Sequence, residues 1–142
     1  MAEENLNVHA TCVAFAGQGV LIIGPSGSGK SALAIQLIAL GAVLVSDDRT
    51  LLKSLHGSLI ASPAAAIAGL IEARSVGILR LRHLAEATVS VCVDMSLSEQ
   101  ERLPQPHSLE FLDIMLPCLR RVDAHYFPAA VHAYLTGKLI ET

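Results

Sequence analysis

Four consecutive apolar residues, Val20-Leu21-Ile22-Ile23, read as a buried strand, and they run without a spacer into Gly24-Pro25-Ser26-Gly27-Ser28-Gly29-Lys30-Ser31. The segment Ala32 to Leu40 then favours helix and is closed by Gly41, at the position where a left-handed residue ends many helices. Upstream, His9 to Phe15 is rich in strand formers, and Ala16-Gly17-Gln18-Gly19 turns it back into Val20, which predicts a hairpin. Downstream, Val43-Leu44-Val45-Ser46 is the next buried strand, expected beside the strand at Val20. Arg49 to Leu55 and Ser58 to Ala61 flank His56-Gly57 and predict a second hairpin, stopped by Ser62-Pro63.

Farther along, the pattern shortens. Ala64 to Leu70 is alanine-rich and matches no element, while Ile71-Glu72-Ala73-Arg74 and Val76 to Leu81 read as extended segments around a turn. Thr88 to Val93 alternates with the period of a strand. Ser96 to Ser108, carrying Pro104 and Pro106, reads as a loop and as a candidate lid or partner contact. Phe111 to Leu116 predicts a strand ended by Pro117, and Asp123 to Tyr134 a last helix with Asp123 as its N-cap and Gly137 beyond its end. There is no internal repeat, and residues 1–142 are expected to form a single domain.

Gly24 to Ser31 has the spacing G-x-x-x-x-G-K-[ST] of the Walker A phosphate loop, and it lies between a strand and a helix, the context that motif requires. Its chemistry needs successive backbone N–H groups turned inward around a polyphosphate, with backbone angles that glycine tolerates. Gly24, Gly27 and Gly29 supply them. Lys30 is then placed to reach the outer phosphates, Ser31 to offer a hydroxyl to Mg²⁺, and the helix to point its positive end at the anion. The expected class is an α/β P-loop nucleotide-binding domain with a mixed β-sheet.

Charge and composition narrow the partners. Ten Lys and Arg against 13 Asp and Glu give a net charge of −3, so nucleic acid is not an expected partner. Cys12, Cys92 and Cys118 sit apart in apolar segments, without zinc-ligand spacing, and read as buried reduced thiols. With the acidic, polar start Met1-Ala2-Glu3-Glu4-Asn5, unlike a signal peptide, they point to the cytoplasm. The most apolar stretch, Ala32 to Val45, is broken by Gln36 and Gly41 and is shorter than the roughly 18 residues a spanning helix needs, so no membrane partner is expected. A hydrophobic content of 52% predicts apolar surface buried between subunits of a homo-oligomer.

A nucleoside triphosphate site needs an acid on the metal side and a group that activates the nucleophile. Asp47 and Asp48, at the end of the strand after the P-loop helix, fit both needs, with a surface Asp-Asp turn as the alternative. Glu72, the one acid in its apolar run, reads either as a second metal ligand or as an exposed strand glutamate. On its own residue chemistry His9 reads as a solvated strand histidine. Arg102 reads as a charge able to close over a transferring phosphate, or as a solvated loop arginine.

Together, His9, Gly24 to Ser31, Asp47-Asp48, Glu72-Ala73-Arg74-Ser75-Val76-Gly77-Ile78 and Glu101-Arg102-Leu103 resemble the catalytic domain of bacterial HPr kinase/phosphorylase. The resemblance runs from about His9 to Pro117, in the short form lacking a separate N-terminal domain, and implies the nucleotide-binding core shared with phosphoenolpyruvate carboxykinase. It implies His9, Lys30, Asp48 and Arg102 as catalytic, Gly24, Pro25, Ser26, Gly27, Ser28, Gly29, Lys30, Ser31 and Asp47 as nucleotide-binding, and Ser31 and Glu72 as metal ligands. It further implies ATP and Mg²⁺, a serine of the phosphocarrier HPr as acceptor, and a homo-oligomer such as a hexamer. Two stretches depart from the family pattern. Pro117-Cys118-Leu119-Arg120-Arg121-Val122 replaces a proline- and glycine-containing stretch tied to the reverse, phosphorolytic reaction, and Ser75 stands where glycine is usual. The expected function is therefore ATP-dependent serine phosphorylation of an HPr-like protein, with weak phosphorylase activity. Two rivals are a small-molecule P-loop kinase and a non-enzymatic nucleotide sensor that controls a partner.

Overall fold

A computed structural model describes residues 5–140, so the acidic start at residues 1–4 lies outside the described residues. In chain order the elements are β1 (Asn5–Val8), β2 (Ala10–Phe15), β3 (Gln18–Ile23), α1 (Lys30–Ala39), β4 (Val43–Ser46), β5 (Thr50–Leu55) and β6 (Ser58–Pro63). After a short 3₁₀ turn at Ala65–Ile67 come β7 (Leu70–Ala73), β8 (Gly77–Arg80), β9 (Ala87–Ser98), β10 (His107–Phe111), β11 (Ile114–Arg121) and α2 (Phe127–Thr136). Nine strands form one mixed sheet in the order β1-β5-β6-β9-β3-β2-β4, with β11 also on β9 and β10 on β11, while β7 and β8 form a separate hairpin. β3 and β11 both run parallel to β9; the other pairings are antiparallel.

Side-chain alternation divides the core between the two faces of this sheet. Val20 and Ile22 of β3, with Val13 and Phe15 of β2, pack under Leu33, Ala34 and Leu37 of α1 and Val131 and Leu135 of α2. Leu21, Cys12 and Ala14 point the opposite way, into a core closed by Leu52, Leu59 and Leu116. Both faces of the central strands are thus covered, which is why they read as unbroken apolar runs. Val20, Leu21 and Ile22 are fully buried, and each contributes about 1.5–3 kcal/mol by leaving water. In β9 the register shifts opposite Gly19 and Val20, and the extra residue, Ser90, moves Val89 to one core and Val91 to the other.

The hairpin turns follow a common rule. Ala16-Gly17 (φ 45° and 83°), His56-Gly57 (φ 50° and 80°) and Leu112-Asp113 (φ 50° and 64°) all place two residues in the left-handed region, which matches the twist of the flanking strands. The β7–β8 turn holds Ser75 at φ 67°, a backbone state that glycine favours and that accounts for the glycine expected there.

Four expectations are corrected. β4 does not adjoin the P-loop strand β3; β2 lies between them. Residues 96–98 belong to β9 and residues 107–108 to β10, which shortens the expected loop, and Leu112-Asp113 turns within the predicted strand. Pro117 lies inside β11 rather than ending a strand, one residue before pairing with β9 begins, an edge position that tolerates a missing N–H. The last helix begins at Phe127 with Pro128 in its first turn, and Asp123 instead accepts hydrogen bonds from Ser98 and Arg121. No helix among the described residues is long and apolar enough to cross a membrane.

Candidate functional site

At the end of β3 the chain leaves the sheet at Gly24 with φ 146° and re-enters regular structure after Gly29, whose φ is 98°. A Cβ on Gly24 would lie 2.6 Å from Ser28 Oγ and 3.2 Å from Met95 Cβ, so the close turn leaves room for hydrogen only. No side chain caps the start of α1, which leaves its first N–H groups free for an anion. Lys30 is 6% exposed, and its Nζ donates to the Pro25 carbonyl at 3.1 Å, across the mouth of the loop. Inside the loop, Ser28 Oγ is buried with no hydrogen-bond partner among the described residues. Leaving such a hydroxyl unmet costs about 1–3 kcal/mol, and it marks a cradle built for a polar ligand rather than for stability.

Asp47 organises the opposite wall. Its Oδ1 accepts from Ser31 Oγ at 2.6 Å and from Thr11 Oγ1 at 2.9 Å, and its Oδ2 accepts from the Glu72 backbone N–H at 3.1 Å. A carboxylate only 7% exposed thus joins the first turn of α1, the start of β2 and the β7–β8 hairpin, by the charge-assisted bonds a buried anion requires. The turn that carries it is braced beneath by buried hydroxyls. Ser46 Oγ meets Thr50 Oγ1, which donates to the Ala10 carbonyl at 2.9 Å.

Asp48 differs in every respect. It sits at φ 68°, its side chain is 65% exposed, and its Oδ1 lies 2.7 Å from Nε2 of His9, which is 47% exposed. An exposed pair of this kind is worth about 0–1 kcal/mol, and aspartate is among the residues that adopt the left-handed region readily. The geometry holds a carboxylate out over the cleft.

Lys30, Ser31, Asp47, Asp48 and Glu72 line one cleft of about 710 Å³, together with Ser26, Gly27 and Gly29. His9 joins it through Asp48. Arg102 does not: it is exposed on the segment between β9 and β10 and lines a separate cavity of about 450 Å³, with Pro104, Tyr126 and Tyr134. In that second region His107 donates to Glu99 at 2.9 Å and holds its carboxyl below the usual carboxylate range. Sequence reasoning missed Thr11, whose one signal was a hydroxyl within a strand otherwise made of apolar residues, and Arg74, which also lines the cleft. The donors facing the cleft from Ser31, Asp47 and Glu72 are all oxygens, the hard ligands that suit Mg²⁺ held jointly with phosphate. Ser31 Oγ keeps lone pairs for a cation while its O–H is donated to the Asp47 carboxylate.

A family model described as "HPr Serine kinase C-terminal domain" matches residues 1–105. The chain is 31% identical over 106 residues to an HPr kinase/phosphorylase of Mycoplasmopsis pulmonis, covering 70% of this chain and 34% of the relative. An HPr kinase/phosphorylase of Streptococcus thermophilus is 35% identical over 108 residues, covering 70% and 35%, and one of Clostridium tetani is 42% identical over 77 residues, covering 54% and 25%. The chain therefore spans about a quarter to a third of the length of these relatives. A solved structure, described as the Hpr(Ser) kinase/phosphatase from Coxiella burnetii, superposes with a TM-score of 0.78 at 24% identity, covering 92% of this chain and 94% of that one, and shows the shared mixed α/β fold. The P-loop on β3, the Asp47-Asp48 pair and the match over residues 1–105 lead to one conclusion: the chain belongs to the HPr serine kinase C-terminal domain family.

Proposed function

We propose that residues 1–142 act as one catalytic unit that transfers a phosphoryl group from ATP to a serine of an HPr-like phosphocarrier protein in the cytoplasm, as a homo-oligomer. The observation that carries the reading is Asp48, kept exposed beside the P-loop, with His9 at 2.7 Å from its carboxylate. A pure nucleotide sensor needs the P-loop but has no use for an exposed carboxylate held over the cleft. A half-open cleft in which Asp48 faces solvent suits a protein hydroxyl better than the enclosed pocket a small-molecule kinase requires.

In this reading Lys30 and the loop amides hold the triphosphate, and Asp48 takes the proton of the acceptor hydroxyl as its oxygen attacks in line. His9 orients Asp48. Ser31 and Glu72, with Asp47 behind them, hold Mg²⁺, which when bound neutralises charge on the phosphate oxygens. Arg102 lines the other cavity, so the forward reaction is assigned without it. The exposed apolar side chains of Leu97, Leu103, Met115, Tyr126 and Leu139 support burial against a second copy.

The reading is tested by incubating the protein with γ-labelled ATP, Mg²⁺ and purified HPr, then locating label by mass spectrometry. Phosphoserine on HPr is expected. Tight ATP binding with no transfer to HPr or to any protein of a bacterial lysate would favour the sensor.

A further inference from the structure

β2 lies between the P-loop strand and the strand that delivers the aspartates, and Thr11 is the single polar side chain on it that touches both aspartates. The residue is fully buried. Its hydroxyl donates to Asp47 Oδ1 at 2.9 Å and accepts the backbone N–H of Asp48 at 3.2 Å. A hydroxyl can do both at once; a methyl of the same size can do neither. Two residues earlier on the same segment, His9 meets the Asp48 carboxylate. Asp48 is therefore held at two points, its backbone by Thr11 and its side chain by His9, and only the first of these is shielded from water. Asp48 has φ 68°, and its N–H has no other hydrogen-bond acceptor among the described residues. Losing the Thr11 oxygen would leave the left-handed turn without its tether and Asp47 with one donor fewer.

We propose that Thr11 is a positioning residue that couples the Mg²⁺-side aspartate, Asp47, to the base, Asp48, through one buried hydroxyl. The inference rests on the kinase reading above and deepens it. A shift of about 1 Å in a reacting group costs on the order of 100-fold in rate. Thr11→Val is therefore expected to lower kcat about 10- to 100-fold, and Thr11→Ser, which restores the hydroxyl, to recover most of it. The decisive readout is a double-mutant cycle. If Thr11 acts through Asp48, Thr11→Val costs less than about 3-fold in an Asp48→Asn background, because interacting sites are not additive. Additive losses, or a Thr11→Ser variant as slow as Thr11→Val, would overturn the proposal.

Two measurements without turnover keep it separate from the function. Long-range ¹H–¹⁵N spectra of the imidazoles, with His9 identified among the six histidines by His9→Gln, should show its Nε2 signal in Thr11→Val moved toward that in Asp48→Asn. An unmoved signal overturns the inference even if HPr is phosphorylated. If the wild-type protein transfers nothing, the kinase reading fails and this spectrum alone decides the role of Thr11. Should Thr11→Val not fold, hydrogen exchange on the wild-type protein decides. The Asp48 amide is expected to exchange at least about tenfold slower than an unstructured amide, and free exchange would remove the tether.

Discussion

Ser31 Oγ lies 2.6 Å from Asp47 Oδ1, joining the first turn of the P-loop helix to the end of β4 across an intervening strand. In the proposed reading the bond makes Asp47 a support for the hydroxyl assigned to the cation rather than a reacting group. Asp47→Asn keeps the size but removes the charge that receives two hydroxyl protons. Bonds to a charged group are worth about 1.5–3 kcal/mol, so the Mg²⁺ concentration for half-maximal ATP binding should rise tenfold or more. Calorimetric titration of ATP at stepped Mg²⁺ checks this, and an unchanged requirement would return Asp47 to a structural role.

Asp48 supplies the contrast. If it is the base, Asp48→Asn should slow transfer by about 10²–10⁴-fold while ATP affinity stays nearly intact. The pairing with His9 adds a graded companion: His9→Gln should show a smaller loss of the same kind, since it removes the partner and keeps the carboxylate. Steady-state kinetics on HPr separate the two effects. A pure rate defect in Asp47→Asn, with Asp48→Asn unaffected, would exchange the roles of the pair.

Lys30 is buried and already directed across the loop by the Pro25 carbonyl. Lys30→Ala should abolish transfer and weaken ATP binding, because Lys30 is the one cation that Gly24 to Ser31 itself brings to the cleft. Calorimetry with Mg-ATP reads this directly, and unchanged affinity would sink Gly24 to Ser31 as the nucleotide site.

Much of this site was legible because its parts are local. The P-loop lies between a strand and a helix by sequence adjacency alone, and Gly24, Gly27 and Gly29 announce their backbone angles. The hairpins around Gly17 and Gly57 were legible for the same reason. Strand order was not, since whether β4 adjoins β3 or β2 depends on long-range pairing that apolar runs do not encode. Thr11 escaped notice because a hydroxyl in a strand looks the same whether it faces water or two aspartates. Arg102 lies apart from the cleft. Its place in a proline-bearing loop suggested reach toward phosphate, yet the loop leads to β10 on the far side of β11 from the P-loop strand.

The second cavity makes a prediction about acid stability. His107 donates to Glu99 and holds its carboxyl below the usual value of 4.5, so the folded state keeps this charge at pH values where the unfolded chain has taken up a proton. The contribution is complete above the unfolded value and is lost as pH falls through the lowered folded one. The Tm difference between wild type and Glu99→Gln should thus be present at pH 6 and shrink steadily below pH 4.5. A difference independent of pH would mean that Glu99 acts by packing alone.

The direction of the reaction is the last expectation. Reversal requires inorganic phosphate to be positioned for attack on phosphoserine, and cations near the departing stretch, Pro117 to Val122, are the candidates for holding it. Arg121 is committed elsewhere: Nε donates to Asp123 at 2.8 Å, Nη1 to the Met95 carbonyl at 2.8 Å and Nη2 to Ser98 Oγ at 2.7 Å. The last two bonds fasten β11 to β9 behind the P-loop, where Met95 lies against Gly24 and Gly29. Arg120 lines the second cavity, and β11 has no glycine that would let its backbone close on a phosphate. The forward transfer proposed above is assigned to the P-loop cleft and uses neither arginine. Serine-phosphorylated HPr incubated with the protein, Mg²⁺ and excess phosphate should therefore release pyrophosphate much more slowly than the kinase reaction consumes ATP. Release as fast as the forward rate would show that groups in the main cleft, with Arg74 first among them, hold the attacking phosphate.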